Sequence, residues 1–420
     1  MKKRVAVFGA GLSGQSAADL VISEGYSVTV FDEEKAGFKS HFSESDVSSF
    51  DHFIFSPGFS KKHEWRELLL GKEFVYGELG YAAERWKGKI FGVTGTNGKT
   101  TVTRLLQAVL RASGLEAYVA GNIGVTLSEL VNSEANHQDA IAICEISSFQ
   151  AEITSGLSLD GLIWTNFAED HLDRYVSMEE YFKAKCALLT CVKKLAPVCA
   201  SEDLQDFKGR DFWTSHGVEL VKVDKDFPES LLSTSVFHSY PHLLNYHLVF
   251  GFIESLGLGD LDLISVANDF ELDAHRLNKI FEKGGIKVWE DSKSTNLHSV
   301  LGALREMKGP VIWLGGGASK NTNISEFTNC LAPLVDWIVV YGAVGEELKD
   351  AFLHLGRKSA YYSLLEDAIE ESVRLSRGQK EVNLLFSPGF SSFDQFACYS
   401  DRGNFFQKNI FSLLQEEGCL

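Results

Sequence analysis

The run Ile90-Phe91-Gly92-Val93-Thr94-Gly95-Thr96-Asn97-Gly98-Lys99-Thr100-Thr101-Val102 decides how this chain reads. Its apolar start predicts a strand over 90–93, since a parallel strand covered on both faces carries an unbroken apolar run. Beyond the glycines, Val102, Leu105, Leu106, Val109 and Leu110 recur at helical spacing until Gly114, so a helix follows the turn. A strand, a Gly-rich turn ending in Gly-Lys-Thr and a helix make a phosphate cradle. Backbone N–H groups from Gly95, Thr96, Asn97, Gly98 and Thr101 face the phosphates, Lys99 neutralises the β and γ oxygens, and the Thr100 hydroxyl can ligate Mg²⁺. Val93 stands where the usual first glycine would be. The expectation is a protein that uses ATP.

Upstream, apolar runs predict strands over 5–8, 28–31 and 52–55, with helical spacing at Ala17, Leu20 and Val21. Gly9-x-Gly11-x-x-Gly14 follows the first strand and Asp32 ends the second, which fits a diphosphate-binding turn. Alone this pattern suggests a dehydrogenase, but it specifies a diphosphate rather than a particular nucleotide. Downstream, strands are predicted over 141–144 and 162–164. Glu145 closes the first, where a second acid would reach Mg²⁺ at a neighbouring phosphate loop. The second leads into Thr165-Asn166-Phe167-Ala168-Glu169-Asp170-His171-Leu172-Asp173-Arg174-Tyr175, a loop dense in acids with a His and an Arg. Residues 198–235 read as irregular and polar. Strands resume over 287–290, 311–314, 337–341 and 382–386. The hexapeptide Phe-Ser-Pro-Gly-Phe-Ser occurs at 55–60 and again at 386–391, predicting two similar turns at strand ends, where open parallel sheets hold ligands.

Composition bounds these readings. At about 150 residues per domain, 420 residues suggest two or three domains. A net charge of −17 disfavours binding to nucleic acid or anionic lipid through bulk charge, so an anionic ligand must be held by local devices. Seven cysteines without C-x-x-C spacing argue against a disulfide framework and a structural zinc site, and for a reducing compartment. The basic and apolar start is broken by Gly9 and Gly11, so it reads as a strand entering a turn rather than a signal peptide. No apolar run reaches the roughly 18 residues of a membrane span. A cytoplasmic location is expected, with no nucleic acid partner and no membrane insertion.

The segments 95–101, Glu145-Ile146-Ser147-Ser148-Phe149-Gln150, 166–175, Tyr181-x-x-Ala184-Lys185, His275-Arg276, Asp291-Ser292-Lys293-Ser294-Thr295-Asn296 and Ser391-Ser392-Phe393-Asp394-Gln395-Phe396 stand in this order along the chain. Together they resemble the Mur ligases of peptidoglycan synthesis, and among them the D-glutamate-adding members. The resemblance implies an α/β chain of three domains, each with a mostly parallel sheet. These are a Rossmann-like UDP-substrate domain over 1–86, a P-loop ATPase-like domain over 87–272 and a Rossmann-like amino-acid domain over 273–420. It implies ATP-dependent addition of D-glutamate to UDP-N-acetylmuramoyl-L-alanine through an acyl phosphate, with two Mg²⁺ sites.

Residue roles follow from the same resemblance. Leu12, Ser13, Asp32, Ser56, Asn122 and His171 would bind the UDP-substrate. Arg276 and Asp291 would join the phosphate loop at ATP. Thr295, Lys320, Ser392, Phe393 and Tyr399 would bind D-glutamate. Thr100, Glu145, His171 and a carbamylated Lys185 would ligate metal, with Lys99, Glu145, His171 and Lys185 as the catalytic set. The family's G-x-H-N-x-x-N helix start is shortened here to Tyr240-Pro241-His242-Leu243-Leu244-Asn245, which leaves Asn245 for the nucleotide. Gly389-Phe390 replaces smaller residues and Tyr399 stands where Phe is frequent, changes expected to reshape the glutamate pocket without altering the reaction.

Overall fold

The computed structural model describes residues 2–222, 230–238, 240–259 and 261–416. Each of its three sheets is built around the apolar runs that the sequence displays. Val5, Ala6, Val7 and Phe8 are fully buried because strand Arg4–Phe8 is interior to a parallel sheet ordered Ser27–Phe31, Arg4–Phe8, His52–Phe55, Val75–Gly77. One face of that sheet is unusually aromatic: Phe8, Phe31, Phe42, Phe55 and Trp65 pack together there. Phe8 stacks on Phe55 at 4.2 Å between ring centroids.

The second sheet is also wholly parallel, in the order Glu219–Val221, Val198–Ser201, Gly161–Trp164, Lys89–Thr94, Ile141–Glu145, Ala117–Gly121. Helix Lys99–Ala112 buries Val102, Leu105, Leu106, Val109 and Leu110, and helix His242–Ser255 joins the same core through Leu244, Leu248, Val249 and Phe252. At roughly 1.5–3 kcal/mol per buried side chain, the five apolar residues of Lys99–Ala112 fix that helix firmly on the sheet. The irregular reading of 198–235 is corrected in part. Val198–Ser201 and Glu219–Val221 are strands, with helix Arg210–Ser215 between them. Small residues such as Cys199, Ala200 and Ser201 had hidden the first strand. Residues 223–229 lie outside the described residues.

The third sheet runs Asn278–Lys283, Ile286–Glu290, Val382–Gly389, Val311–Gly316, Trp337–Tyr341, Ser359–Tyr362. Its first strand is antiparallel to the second and the others are parallel. Strand Val382–Gly389 runs on through Ser387 and Pro388, so the second hexapeptide is strand where the first, at Ser56, is already a turn. The two copies therefore differ in structure.

These sheets fall into two compact units. One comprises Met1–Phe167, Ser177–His238 and His242–Phe270, and the other Ala168–Val176, Ser239–Pro241 and Glu271–Leu420. Cys144, Cys186, Cys191, Cys199, Cys330 and Cys398 are free thiols. Cys419 lies outside the described residues. Among the described residues, no helix is long and apolar enough to cross a membrane.

Candidate active site

In the first unit, strand register lines up the chemistry at one edge of the second sheet. Val93 pairs with Glu145, Gly121 with Glu145, and Thr94 with Trp164, so Gly95, Glu145, Asn122 and Asn166 all emerge at carboxyl ends. The phosphate loop is pinned from the neighbouring strand. Thr96 N donates to Asn166 O at 3.1 Å, Asn97 N to Asn166 Oδ1 at 2.9 Å, and Asn166 Nδ2 to Asn97 O at 3.0 Å. Gly98 then takes the left-handed φ of 82° that starts helix Lys99–Ala112, a conformation that favours glycine. A Cβ there would lie 2.5 Å from Asn245 Oδ1, so Asn245 is packed directly on the loop.

Glu145 is 2% exposed and both of its carboxylate oxygens are engaged. Thr100 Oγ1 donates to Oε2 at 2.6 Å and Asn122 Nδ2 to Oε1 at 2.8 Å. One carboxylate thus joins the phosphate-loop hydroxyl to Asn122, one of the residues expected to bind the UDP-substrate. Lys99 Nζ donates to Gly95 O at 3.1 Å and to Thr96 O at 2.7 Å. Lys185, 1% exposed, donates to Gly95 O at 2.8 Å and lies 5.0 Å from the Tyr181 ring centroid. Tyr181 OH in turn is 3.2 Å from Thr96 Oγ1. The structure therefore brings Lys99, Thr100, Glu145, Lys185, Asn122 and Asn245 together around the loop. A hydroxyl beside a carboxylate is a hard-oxygen set of the kind Mg²⁺ prefers, so Thr100 and Glu145 fit that ion.

The first Gly-rich turn is built as tightly as its spacing suggests. A Cβ on Gly14 would collide with the Gly9 carbonyl oxygen. Asp32 organises the turn by accepting from Ala10 N at 2.7 Å, Glu34 N at 3.0 Å and Lys35 N at 2.9 Å. Burial pushes its carboxyl up, but these donors outweigh it and hold Asp32 below its ordinary value. Leu12 and Ser13 open helix Leu12–Ser23, with Leu12 85% exposed. The Ser56 hydroxyl sits against Gly9 and Gly14, and Ser56 lines a cleft with Phe59, Phe149 and Gln150.

In the second unit, a small cavity of about 40 Å³ is lined by Asp170, His171, Thr295, Asn296, Lys320 and Glu326 among others. Lys320 Nζ donates to Asp170 Oδ1 at 3.0 Å and to Thr295 Oγ1 at 3.5 Å. Asp170 also accepts from His171 N at 2.8 Å and from Asn296 Nδ2 at 3.2 Å. Burial alone would raise the Asp170 carboxyl, yet His171, Lys320 and Asn296 together hold it below its usual value. The loop bearing Lys320 is tied to Ser391, since Ala318 N donates to Ser391 O at 2.9 Å and Ser391 N to Ala318 O at 3.1 Å. Ser392 is buried next to that tie, whereas Phe393 is 74% exposed. Tyr399 does not line the cavity; its ring lies 3.9 Å from Lys293 Nζ. Burial works to raise the Tyr399 hydroxyl, but Lys293 brings it below the ordinary tyrosine value.

Asp291 is buried and accepts from Leu277 N at 3.1 Å and Ser387 Oγ at 3.0 Å. Burial pushes its carboxyl up to about 7. The Arg276 side chain is 15% exposed, with Nε 3.9 Å from Asp273 Oδ2. Sequence reasoning assigned no role to Asp170, Asn166 or Asn296. All three stand in the quoted motif segments, and their polar side chains in strand-end loops were the available signal.

Comparison with known proteins points to one family. The Mur ligase middle domain matches residues 93–238. The UDP-N-acetylmuramoylalanine–D-glutamate ligase of Prochlorococcus marinus (strain MIT 9312) is 30% identical over 393 residues, covering 88% of this chain and 83% of that one. The enzyme of the same name from Aquifex aeolicus (strain VF5) is 29% identical over 422 residues, covering 96% and 97%. Among solved structures, the MurF ligase of Thermotoga maritima in complex with ADP shares the fold, with a TM-score of 0.63 at 14% identity over 99% of this chain and 96% of that one. The likeness in sequence extends over most of the chain, well beyond the phosphate loop, and by it the protein belongs to the Mur ligase family, with the UDP-N-acetylmuramoylalanine–D-glutamate ligases as its relatives.

Proposed function

We infer that the chain is an ATP-dependent ligase that adds D-glutamate to UDP-N-acetylmuramoyl-L-alanine in peptidoglycan precursor synthesis. The observation that carries this reading is the phosphate loop with Thr100 on Glu145, in a chain similar along most of its length to ligases of that name. The substrate's terminal carboxylate attacks the γ-phosphate of ATP to give an acyl phosphate and ADP. The amine of D-glutamate then displaces phosphate through a tetrahedral intermediate, losing its proton as the amide forms. The protein's part is to position anions against one another and stabilise the developing charge.

Within the chain, Lys99 and the backbone N–H groups of 95–101 take the phosphates, and Asn245 meets the nucleotide beside Gly98. Arg276 and Asp291 are further nucleotide residues by resemblance. Thr100 and Glu145, with Lys185 as its carbamate, are the Mg²⁺-binding groups. The ion would offset phosphate charge as the γ-phosphoryl group transfers. Asp32, Ser56, Asn122, Leu12 and Ser13 belong to the UDP-substrate, and Lys320, Thr295 and Ser392 to the acceptor. His171 is assigned to the substrate and metal. Functional domains over 1–86, 87–272 and 273–420 are supported by each range holding one sheet. The acidic charge and free thiols support a cytoplasmic place of work. Phosphate release measured with UDP-N-acetylmuramoyl-L-alanine and a panel of amino acids tests the reading: D-glutamate is expected to be fastest, and faster release with L-alanine or a diamino acid would refute it.

A further inference from the structure

Lys320, the cation assigned to the acceptor's carboxylate, already has a carboxylate. Its ammonium is 3.0 Å from Asp170 Oδ1 at 19% side-chain exposure, and Asp170 is 9% exposed. Among the described residues that line this cavity, Lys320 is the one Lys or Arg, facing Glu169, Asp170 and Glu326. An acidic acceptor entering there meets like charge, and the one compensating ammonium is spent. We propose that Asp170 is a specificity-determining counter-ion, displaced from Lys320 by the acceptor's carboxylate, so that acceptor binding is an exchange of one carboxylate for another. This rests on the reading of Lys320 as an acceptor residue.

The surroundings of each partner suit an exchange. Asp170 keeps two hydrogen bonds that do not depend on Lys320, from His171 N at 2.8 Å and from Asn296 Nδ2 at 3.2 Å. Its buried charge therefore stays satisfied after the lysine leaves, which removes the usual penalty for breaking a buried pair. Lys320 carries three rotatable donors on a flexible stem. Among the described residues, its hydrogen-bond partner besides Asp170 is Thr295 Oγ1, at the long distance of 3.5 Å. Swinging the ammonium toward an incoming carboxylate breaks one charge-assisted bond and makes another of the same kind. An acceptor whose carboxylate does not reach Lys320 leaves the Lys320–Asp170 pair closed and gains nothing from it. The pair thereby discriminates against such molecules while lowering the affinity of the correct one.

The test is a double-mutant cycle on the KM for D-glutamate in the full chain, with ATP and UDP-N-acetylmuramoyl-L-alanine saturating. Asp170→Asn keeps the size of the side chain and an acceptor for His171 N but removes the competing charge, so the KM for D-glutamate falls roughly tenfold, as expected for freeing one charge-assisted bond. Asp170→Glu keeps the charge and keeps the KM high. Lys320→Met raises the KM, and adding Asp170→Asn to Lys320→Met brings no fall, because no ammonium is left to exchange. A merely structural Asp170 would raise the KM in both backgrounds. The same order is read by calorimetric binding of D-glutamate to enzyme holding the UDP-substrate and a non-hydrolysable ATP analogue, which needs no turnover, and Asp170→Ser replaces Asp170→Asn where the latter folds poorly. If Lys320→Met raises the KM but Asp170→Asn leaves it unchanged or higher, the exchange is overturned and the acceptor site stands. If Lys320→Met leaves the KM unchanged, the acceptor reading fails and the exchange with it.

Discussion

Gly98→Ala tests the junction on which the nucleotide site depends, and its cost divides into two parts. The first is conformational: an alanine held at φ 82° sits in the left-handed region, at roughly 1–2 kcal/mol. The second is steric. The new Cβ would stand 2.5 Å from Asn245 Oδ1 and 3.3 Å from its Cγ. Asn245 is 3% exposed, on a helix anchored by buried Leu244, Leu248 and Val249, so it has little room to withdraw. Overpacking of this kind adds about 1–3 kcal/mol. The sum, roughly 2–5 kcal/mol, should accelerate amide exchange in Lys99–Ala112 by about 30-fold or more. In an Asn245→Ala background only the conformational part should remain, with Gly98→Ala then costing about 1–2 kcal/mol. Hydrogen exchange with mass detection reads both numbers locally, which matters in a chain of two units that need not unfold in one step. An equal cost of Gly98→Ala in the two backgrounds would refute the packing of Asn245 on the loop.

Glu145→Gln leaves a side chain of the same shape but removes the negative charge shared between Thr100 and Asn122 and turns one of its two acceptor oxygens into a donor. Phosphate release should fall on the order of 10–100-fold and require more Mg²⁺, and an unchanged Mg²⁺ dependence would exclude the metal role. Lys185→Ala removes the group on Gly95 O and should lower kcat far more than ATP affinity. A near-normal kcat with this variant would dismiss the carbamate. Asp291 has its carboxyl raised from 3.8 to about 7, so the folded state holds a proton that the unfolded state releases. Its contribution therefore worsens as pH rises from about 4 to 7 and is flat above. Asp291→Asn should gain melting temperature relative to the parent at pH 8 and not at pH 4, and a pH-independent difference would remove the shifted carboxyl from consideration.

The phosphate loop, its strand and its helix were readable because backbone and side chain ask for the same residues there: glycines at the turn, apolar spacing behind it. Most interior strands were readable for the same reason, since burial on both faces favours Val, Ile, Leu and Phe; Val198–Ser201, interior but built of small residues, was not. Among edge strands Ser27–Phe31 was readable and most others were not. Ala117–Gly121 and Glu219–Val221 are short or built of small and half-exposed residues, and Asn278–Lys283 carries Lys279, Glu282 and Lys283. Their membership of a sheet comes from tertiary pairing. Within the site, local motifs marked residues but not their partners. Lys320 and Asp170 are 150 positions apart, and no periodicity reports that an ammonium and a carboxylate will meet. Asn245 is marked by the shortened motif, but its packing on Gly98 is a fact of helix placement.

The paired hydrogen bonds between Ala318 and Ser391 bear on protein engineering. They stitch the loop that follows Val311–Gly316 to the one that follows Val382–Gly389, so these two segments form a single inheritable cassette. Grafting a foreign acceptor loop at 317–323 alone would mismatch the partner loop's backbone, and a chimera that exchanges both segments together keeps the stitch. Recombination libraries built with crossovers outside both loops should accordingly yield more active clones than libraries that cut between them.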